Sequence, residues 1–312
     1  MTKRIIITGS SGFIGSNLVE YLYKSSPDKE FEIIAIDRVP FPKERIQGLV
    51  KRTRFYEQDI NDGLPDIDNV YAVVHLAAKA GVRESQTQFE QYVKDNIIGT
   101  KAILDKCVEN WKPKVLIYSS SSSVYGSCQT KAKENFPTAP TSLYAMTKVA
   151  CEKLIETYKN NGSLKNTSCA VLRFFTVYGP HQREGLAIRN FVQNILADKP
   201  ITVYGDGTQS RDFLYVDDLN EAIKKLLTYP YPIDGIFNLS STNPVTLNEV
   251  IHMISTTLNK PVTINYEPMN RYDVKRTAAD IGAFTHLTTW VPTIDIAEGI
   301  RREIEWAKKE IQ

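Results

Sequence analysis

Arg4-Ile5-Ile6-Ile7-Thr8-Gly9-Ser10-Ser11-Gly12-Phe13-Ile14-Gly15 opens the chain with an apolar β-branched run that breaks into a G-x-x-G-x-x-G loop. Phe13, Ile14, Asn17, Leu18 and Tyr21 then recur at helical spacing until Ser25-Ser26-Pro27 ends the pattern. Strand, glycine loop and helix follow in the order of a dinucleotide-binding βαβ unit. Glycines in such a loop let the backbone turn tightly and approach a pyrophosphate, held by helix N-terminal amides and the helix dipole. Gly9, Gly12, Phe13, Ile14 and Gly15 are therefore candidate cofactor-binding residues. Asp37 ends the next apolar run, 22 residues past Gly15. A carboxylate there accepts hydrogen bonds from both ribose hydroxyls and repels a 2′-phosphate, so NAD is expected before NADP. Arg38 keeps NADP open, because a guanidinium at this place can pair with that phosphate. Asp59 and Ile60 are candidates to flank the adenine, with a turn cap as the plainer reading of Asp59.

Working outward, Ile- and Val-rich segments recur at 32–37, 72–76, 115–119 and 169–174, with helical patterns at 88–108 and 144–159 between them. Short apolar runs alternating with amphipathic stretches predict an α/β fold with a parallel sheet covered on both faces. After Gly179-Pro180 the elements shorten, and Pro, Thr and Asn become frequent between Tyr229 and Pro268. The expectation is a dinucleotide-binding domain over 1–176, to which 212–240 return, and a smaller α/β domain over 177–211 and 241–312. The helix-like 213–227 and strand-like 236–240 are the returning pieces.

A net charge of +2 over 312 residues offers no field for wrapping nucleic acid or an anionic membrane, although a local basic pocket for a small anion remains open. The apolar runs fall short of the roughly 20 residues a bilayer span needs, and Thr8-Gly9 interrupts any signal-like stretch. A cytosolic protein is expected. Cys107, Cys128, Cys151 and Cys169 lack CxxC spacing and neighbouring histidines, which predicts buried free thiols and no metal.

Of sixteen tyrosines only Tyr144 has a lysine four places on, Lys148, and helix geometry puts the two on one face. Chance supplies such pairs; position singles this one out. It follows Ser119-Ser120-Ser121-Ser122-Ser123-Val124-Tyr125-Gly126, which leaves the carboxyl end of the fourth long strand, where ligands of open α/β sheets bind. A free phenol titrates near ~10 and needs a neighbouring positive charge to act as a base, a charge that Lys148 can supply.

These motifs, with Leu76-Ala77-Ala78, Arg173 to Pro180 and Arg211-Asp212-Phe213-x-Tyr215-Val216-Asp217-Asp218, resemble the extended short-chain dehydrogenase/reductases over nearly the whole chain. Within them the chain resembles the nucleotide-sugar epimerase and dehydratase group. The resemblance implies a Rossmann-like doubly wound sheet, NAD bound with the help of Leu76, Ala77, Ala78 and Lys148, and a catalytic set of Tyr144, Lys148 and Ser121. It also implies a homodimer formed through helices 88–108 and 144–159. Arg211 and Arg271, with Asp273, match positions that hold the diphosphate and ribose of a UDP-sugar, and Tyr204 packs near the uracil; taken alone, either arginine reads as a surface residue.

Ala80-Gly81-Val82-Arg83, the serine run and Phe174 to Pro180 most resemble UDP-glucuronate 4-epimerases, in which Ser122, Thr176 and Arg183 would hold the C6 carboxylate and Arg83 would join the substrate site. His181-Gln182-Arg183-Glu184-Gly185-Leu186-Ala187 departs from the R-P-D-M-A common after the proline in that subgroup. Epimerisation of UDP-glucose or UDP-N-acetylglucosamine is the alternative. A 4,6-dehydratase would carry an acid pair where Ser122 and Ser123 stand, and a non-catalytic NAD-binding regulator would be expected to lack Tyr144 or Lys148.

Overall fold

The structure is a computed structural model that describes residues 2–26, 30–46, 48–128, 130–269 and 272–311. Strands β1 (Lys3–Thr8), β2 (Phe31–Asp37), β3 (Thr53–Glu57), β4 (Val70–His75), β5 (Val115–Ser121) and β6 (Ser168–Phe174) join the strand Gly235–Leu239 in a seven-stranded sheet. From one edge the order is Gly235–Leu239, β6, β5, β4, β1, β2, β3, with every pairing parallel. The order reverses between β4 and β1. A crevice therefore opens beyond the carboxyl ends of these two strands.

The unbroken apolar run in β1 has its reason in the two covered faces. Ile5 and Ile7 pack with Leu18, Val19 and Leu22 of helix α1 (Phe13–Ser25) and with Leu219 and Ile223. Ile6, on the opposite face, packs with Ile103, Leu104, Trp111, Cys151 and Ile155. Side chains that alternate along a strand thus serve two cores at once. A third core gathers Ile188, Phe191, Val192, Ile201, Val250, Ile254, Ile300 and Ile304, from the helices Ala187–Leu196, Leu247–Leu258 and Ile296–Ile311 and the strand Ile201–Tyr204.

Two expectations change. The helix read at 88–108 is a composite of α-helical Phe89–Tyr92 and Gly99–Lys106 with π-helical Val93–Ile98 and Cys107–Trp111. The first π segment brings adjacent Asp95 and Asn96 both into the interior. Such bulges commonly accompany functional sites. The helix read from 213 begins only at Val216, because Phe213–Tyr215, buried at all three positions, forms a strand parallel to Thr176–Tyr178. A continuous apolar triplet has no helical period, whereas Asp217 and Asp218 suit a first helical turn. Of the four thiols, Cys107, Cys151 and Cys169 are buried and Cys128 is half-buried, all of them free. Among the described residues no helix is long and apolar enough to cross a membrane.

Candidate active site

The glycine loop sits at the carboxyl end of β1, and two of its glycines are required by close approach. Gly9 has φ +69°, and a Cβ there would lie 2.6 Å from the Ala77 amide nitrogen. One on Gly15 would lie 2.0 Å from the Gly9 carbonyl oxygen. The N-cap of α1, Gly12, offers no side-chain hydrogen bond, so the first-turn amides of Phe13 and Ile14 are not capped from within the chain. Gly9, Gly12, Asp37, Arg38, Asp59, Ile60, Leu76, Ala77 and Ala78 all line one cleft of about 320 Å³. Phe13 and Ile14 do not line it and instead pack toward the cores. A glycine cradle ending on uncapped amides fits a dinucleotide.

Asp37 accepts hydrogen bonds from the backbone N–H groups of Ser11 (2.9 Å) and Val39 (3.1 Å), which fix its carboxylate at the cleft rim. Arg38 is held by Asp95 at 3.1 Å and stands 3.7 Å from Asp59. Asp59 caps the turn, one oxygen taking the Asn61 backbone and side-chain N–H groups, and the residue also lines the cleft. Burial raises the Asp59 carboxyl, but those hydrogen bonds and Arg38 outweigh it and hold the group below the usual carboxylate range.

Lys148 is 2 % exposed and donates to the Ser119 carbonyl at 2.7 Å, its ammonium lying 5.0 Å from the Tyr118 ring centroid. The Ser119 hydroxyl in turn donates to the His75 carbonyl, and the His75 ring bonds Thr8 and Thr100. A buried polar ladder thus ties the carboxyl ends of β1, β4 and β5 to the lysine. Burial lowers Lys148 to about 8. Tyr144 is half-buried, and the Ser121 hydroxyl, which donates to Ser123 at 3.1 Å, lies near its phenol. Burial raises that phenol above its ordinary value, while Ser121 and the charge of Arg183 pull it back. Arg183 adds a positive charge near the phenol that the sequence did not reveal, and the Lys148 ammonium is tied to Ser119.

The lowered lysine has a pH consequence. Its folded value of about 8 lies below the ordinary lysine value, so between the two the unfolded chain binds more protons. That contribution to stability is complete above the unfolded value and is lost as the pH falls through about 8. Cofactor-free protein should therefore gain stability relative to a Lys148→Met variant as the pH rises from about 7 to about 10. Melting curves that stay parallel across this range would show that the ammonium is not desolvated.

On the far side, Arg83 bonds Asp273 at 2.7 Å and stacks 3.9 Å from the Tyr204 ring centroid, joining three residues proposed separately from the sequence. Arg211 donates to the Ser210 carbonyl, and burial lowers its pKa, partly offset by Asp273. Arg183 donates to the Ala80 carbonyl at 3.1 Å. Thr176 begins the strand beside Phe213–Tyr215, and Ser122 opens a 3₁₀ turn capped by Ser121. Arg271 lies outside the described residues.

Sequence reasoning missed Asn96, which is 1 % exposed. Its side chain accepts from the Lys79 amide at 2.7 Å and donates to the Lys79 carbonyl and to Thr147, clasping the loop after β4 to the helix Leu143–Asn160. Tyr92 was missed too: it donates to the Gly81 carbonyl and meets the Tyr144 ring edge-on at 6.3 Å. A lone polar residue in a helical pattern carries no signal of either role.

The sequence profile of the NAD dependent epimerase/dehydratase family matches residues 5–240. A UDP-glucuronate 4-epimerase of Thermodesulfobacterium geofontis is 35% identical over 323 aligned residues, spanning 98% of this chain and 97% of its own. Among solved structures, a UDP-glucuronic acid 4-epimerase from Bacillus cereus in complex with UDP-glucuronic acid and NAD superposes with a TM-score of 0.90 at 33% identity, over 98% of this chain and 99% of that one. MoeE5 in complex with UDP-glucose and NAD gives a TM-score of 0.91 at 31% identity, over 99% and 100% of the two chains.

Proposed function

Because the chain belongs to the NAD dependent epimerase/dehydratase family, we propose that it is an NAD-dependent epimerase acting at C4 of a UDP-sugar, converting UDP-glucuronate to UDP-galacturonate. One observation carries the reading. The Tyr144 phenol lies close enough to Ser121 and Arg183 for both to favour its ionised form, so base, hydroxyl and guanidinium converge on one site.

When bound, NAD would supply the acceptor for the C4 hydride and the donor for its return, and so would serve as a reusable group. Gly9, Gly12 and Gly15 with the α1 amides hold its pyrophosphate. Asp37 takes the ribose hydroxyls, and its neighbour Arg38, already claimed by Asp95, is a poor partner for a 2′-phosphate. Tyr144 removes the proton of the sugar O4, Ser121 holds that oxygen, and Lys148 meets the nicotinamide ribose. Tyr144 gives the proton back after the 4-keto sugar has turned over, with its UDP end clamped by Arg211 and Asp273 beside Tyr204 and Arg83.

A 4-keto uronate is a β-keto acid and loses CO2 when its carboxylate bond aligns with the carbonyl π system. Ser122, Thr176 and Arg183 hold the carboxylate away from that alignment. Charge-assisted bonds offset its desolvation. Arg183→Ala should raise the yield of UDP-pentose or abolish binding of the uronate; clean epimerisation with unchanged kinetics would refute the assignment. The broader test is incubation with UDP-glucuronate, UDP-glucose and UDP-N-acetylglucosamine followed by separation of products, in which turnover confined to the neutral sugars would replace the uronate.

In the same reading, residues 1–176 with 212–240 carry NAD, and 177–211 with 241–312 carry the sugar nucleotide. The protein is a cytosolic homodimer. Four free thiols support the compartment.

A further inference from the structure

The π-helical segment Val93–Ile98 buries two adjacent polar residues, Asp95 and Asn96. Asn96 grips the Lys79 backbone, which pins the segment, and Asp95 lines the cofactor cleft. Both Asp95 oxygens are engaged. Oδ1 accepts from the Gln91 side chain at 2.6 Å, one helical turn earlier, and Oδ2 accepts from Arg38 Nη1 at 3.1 Å. Gln91 thus fixes the carboxylate, and the carboxylate fixes the guanidinium.

Four charged residues line the cleft: the carboxylates of Asp37, Asp59 and Asp95, and the single guanidinium of Arg38. Asp37 is already oriented by the amides of Ser11 and Val39. Asp59 stands 3.7 Å from Arg38, beyond a hydrogen bond, so Asp95 is the carboxylate that Arg38 bonds among the described residues. Ion pairs between two exposed side chains hold weakly. This one differs, because the Asp95 side chain is only 6% exposed and a buried charge is costly to leave unpaired. A 2′-phosphate would have to draw Arg38 away from that carboxylate while entering a cleft with a surplus of negative charge.

We propose that Asp95 is a positioning residue for Arg38, and that by holding this guanidinium it sets the preference for NAD over its 2′-phosphorylated form. The proposal rests on the reading that Asp37 takes the ribose hydroxyls. It assigns the preference to two carboxylates from different parts of the chain: Asp37 meets the ribose, and Asp95 withholds the one cation that could pair with a phosphate there.

The test equilibrates the full-length protein with equimolar NAD and NADP, then releases the bound nucleotides by denaturation and quantifies them. Asp95→Asn keeps the shape and the acceptor for Gln91 but removes the charge. It should raise the bound NADP-to-NAD ratio about tenfold, the scale of one charge-assisted hydrogen bond gained by the phosphate. Adding Arg38→Gln should cancel the gain. A merely structural role for Asp95 would weaken both nucleotides and leave the ratio unchanged, which would overturn the proposal, as would a gain that survives without Arg38. Asp59→Asn removes the same charge from the cleft and leaves the Asp95–Arg38 bond intact, so its ratio should rise by less than about threefold. A rise equal to that of Asp95→Asn would assign the effect to the general field and overturn the positioning role. Should Asp95→Asn fail to fold, Asp95→Ser is read in its place with the same expectations. Asp37→Asn is run alongside: if it leaves the ratio unchanged, the ribose reading has failed; if it raises the ratio while Asp95→Asn does not, only the positioning role has.

Discussion

Replacing Tyr144 with phenylalanine is expected to lower the rate of C4 epimerisation by about 10²- to 10⁴-fold, the usual contribution of a positioned general base. Sugar-nucleotide affinity should change little. The ring itself keeps its place, since its packing is edge-on against Tyr92 and does not depend on the hydroxyl. What disappears is the oxygen that lies beside Ser121 and in the field of Arg183. Single-turnover product analysis with UDP-glucuronate, paired with a binding titration, separates the two quantities. Wild-type turnover in the variant would remove the phenol from the mechanism, whereas a lost affinity would make Tyr144 a binding residue.

The second large effect is on stability. Glu152, on the helix that carries Tyr144, meets Arg173 of β6 in a bidentate pair, with Nε to Oε1 at 3.0 Å and Nη2 to Oε2 at 2.7 Å. The side chains are 6% and 3% exposed. Ser120 donates to the same carboxylate, Arg173 also donates to the Glu134 carbonyl, and its guanidinium stacks 4.6 Å from the Tyr125 ring centroid. The pair thus ties the tyrosine helix to β6, and the Ser120 bond adds the end of β5 that bears the serines. Glu152→Ala leaves an uncompensated buried guanidinium and should destabilise the fold by about 3–5 kcal/mol. Replacing both partners with methionine should recover most of that loss, because two desolvated charges then vanish together. Denaturant unfolding of the two variants decides it: a single-mutant loss below about 1 kcal/mol would mean that water reaches the pair.

Much of the cofactor cleft was legible in the chain because its parts are local. Gly9, Gly12 and Gly15 lie within one turn of backbone, and Asp37 and Ala77 follow directly from the ends of neighbouring strands. The helix from 213 was misjudged for the converse reason. Phe213–Tyr215 is a strand only because Thr176–Tyr178 lies beside it, and a three-residue apolar run looks the same in either setting. The π segment at Val93–Ile98 was invisible because it responds to the Lys79 backbone, which Asn96 grips from 17 positions away.

Sequence periodicity and order alone determined the parallel sheet, the glycine cradle at its first turn and the Tyr144–Lys148 face. These are consequences of backbone geometry, which repeats over a few residues and leaves its period in the chain. Only the tertiary structure decided which acid holds Arg38 and that Arg83 meets Asp273. Long charged side chains have many possible partners. Burial and the crossing of distant elements choose among them, and neither is recorded in the spacing of residues along the chain.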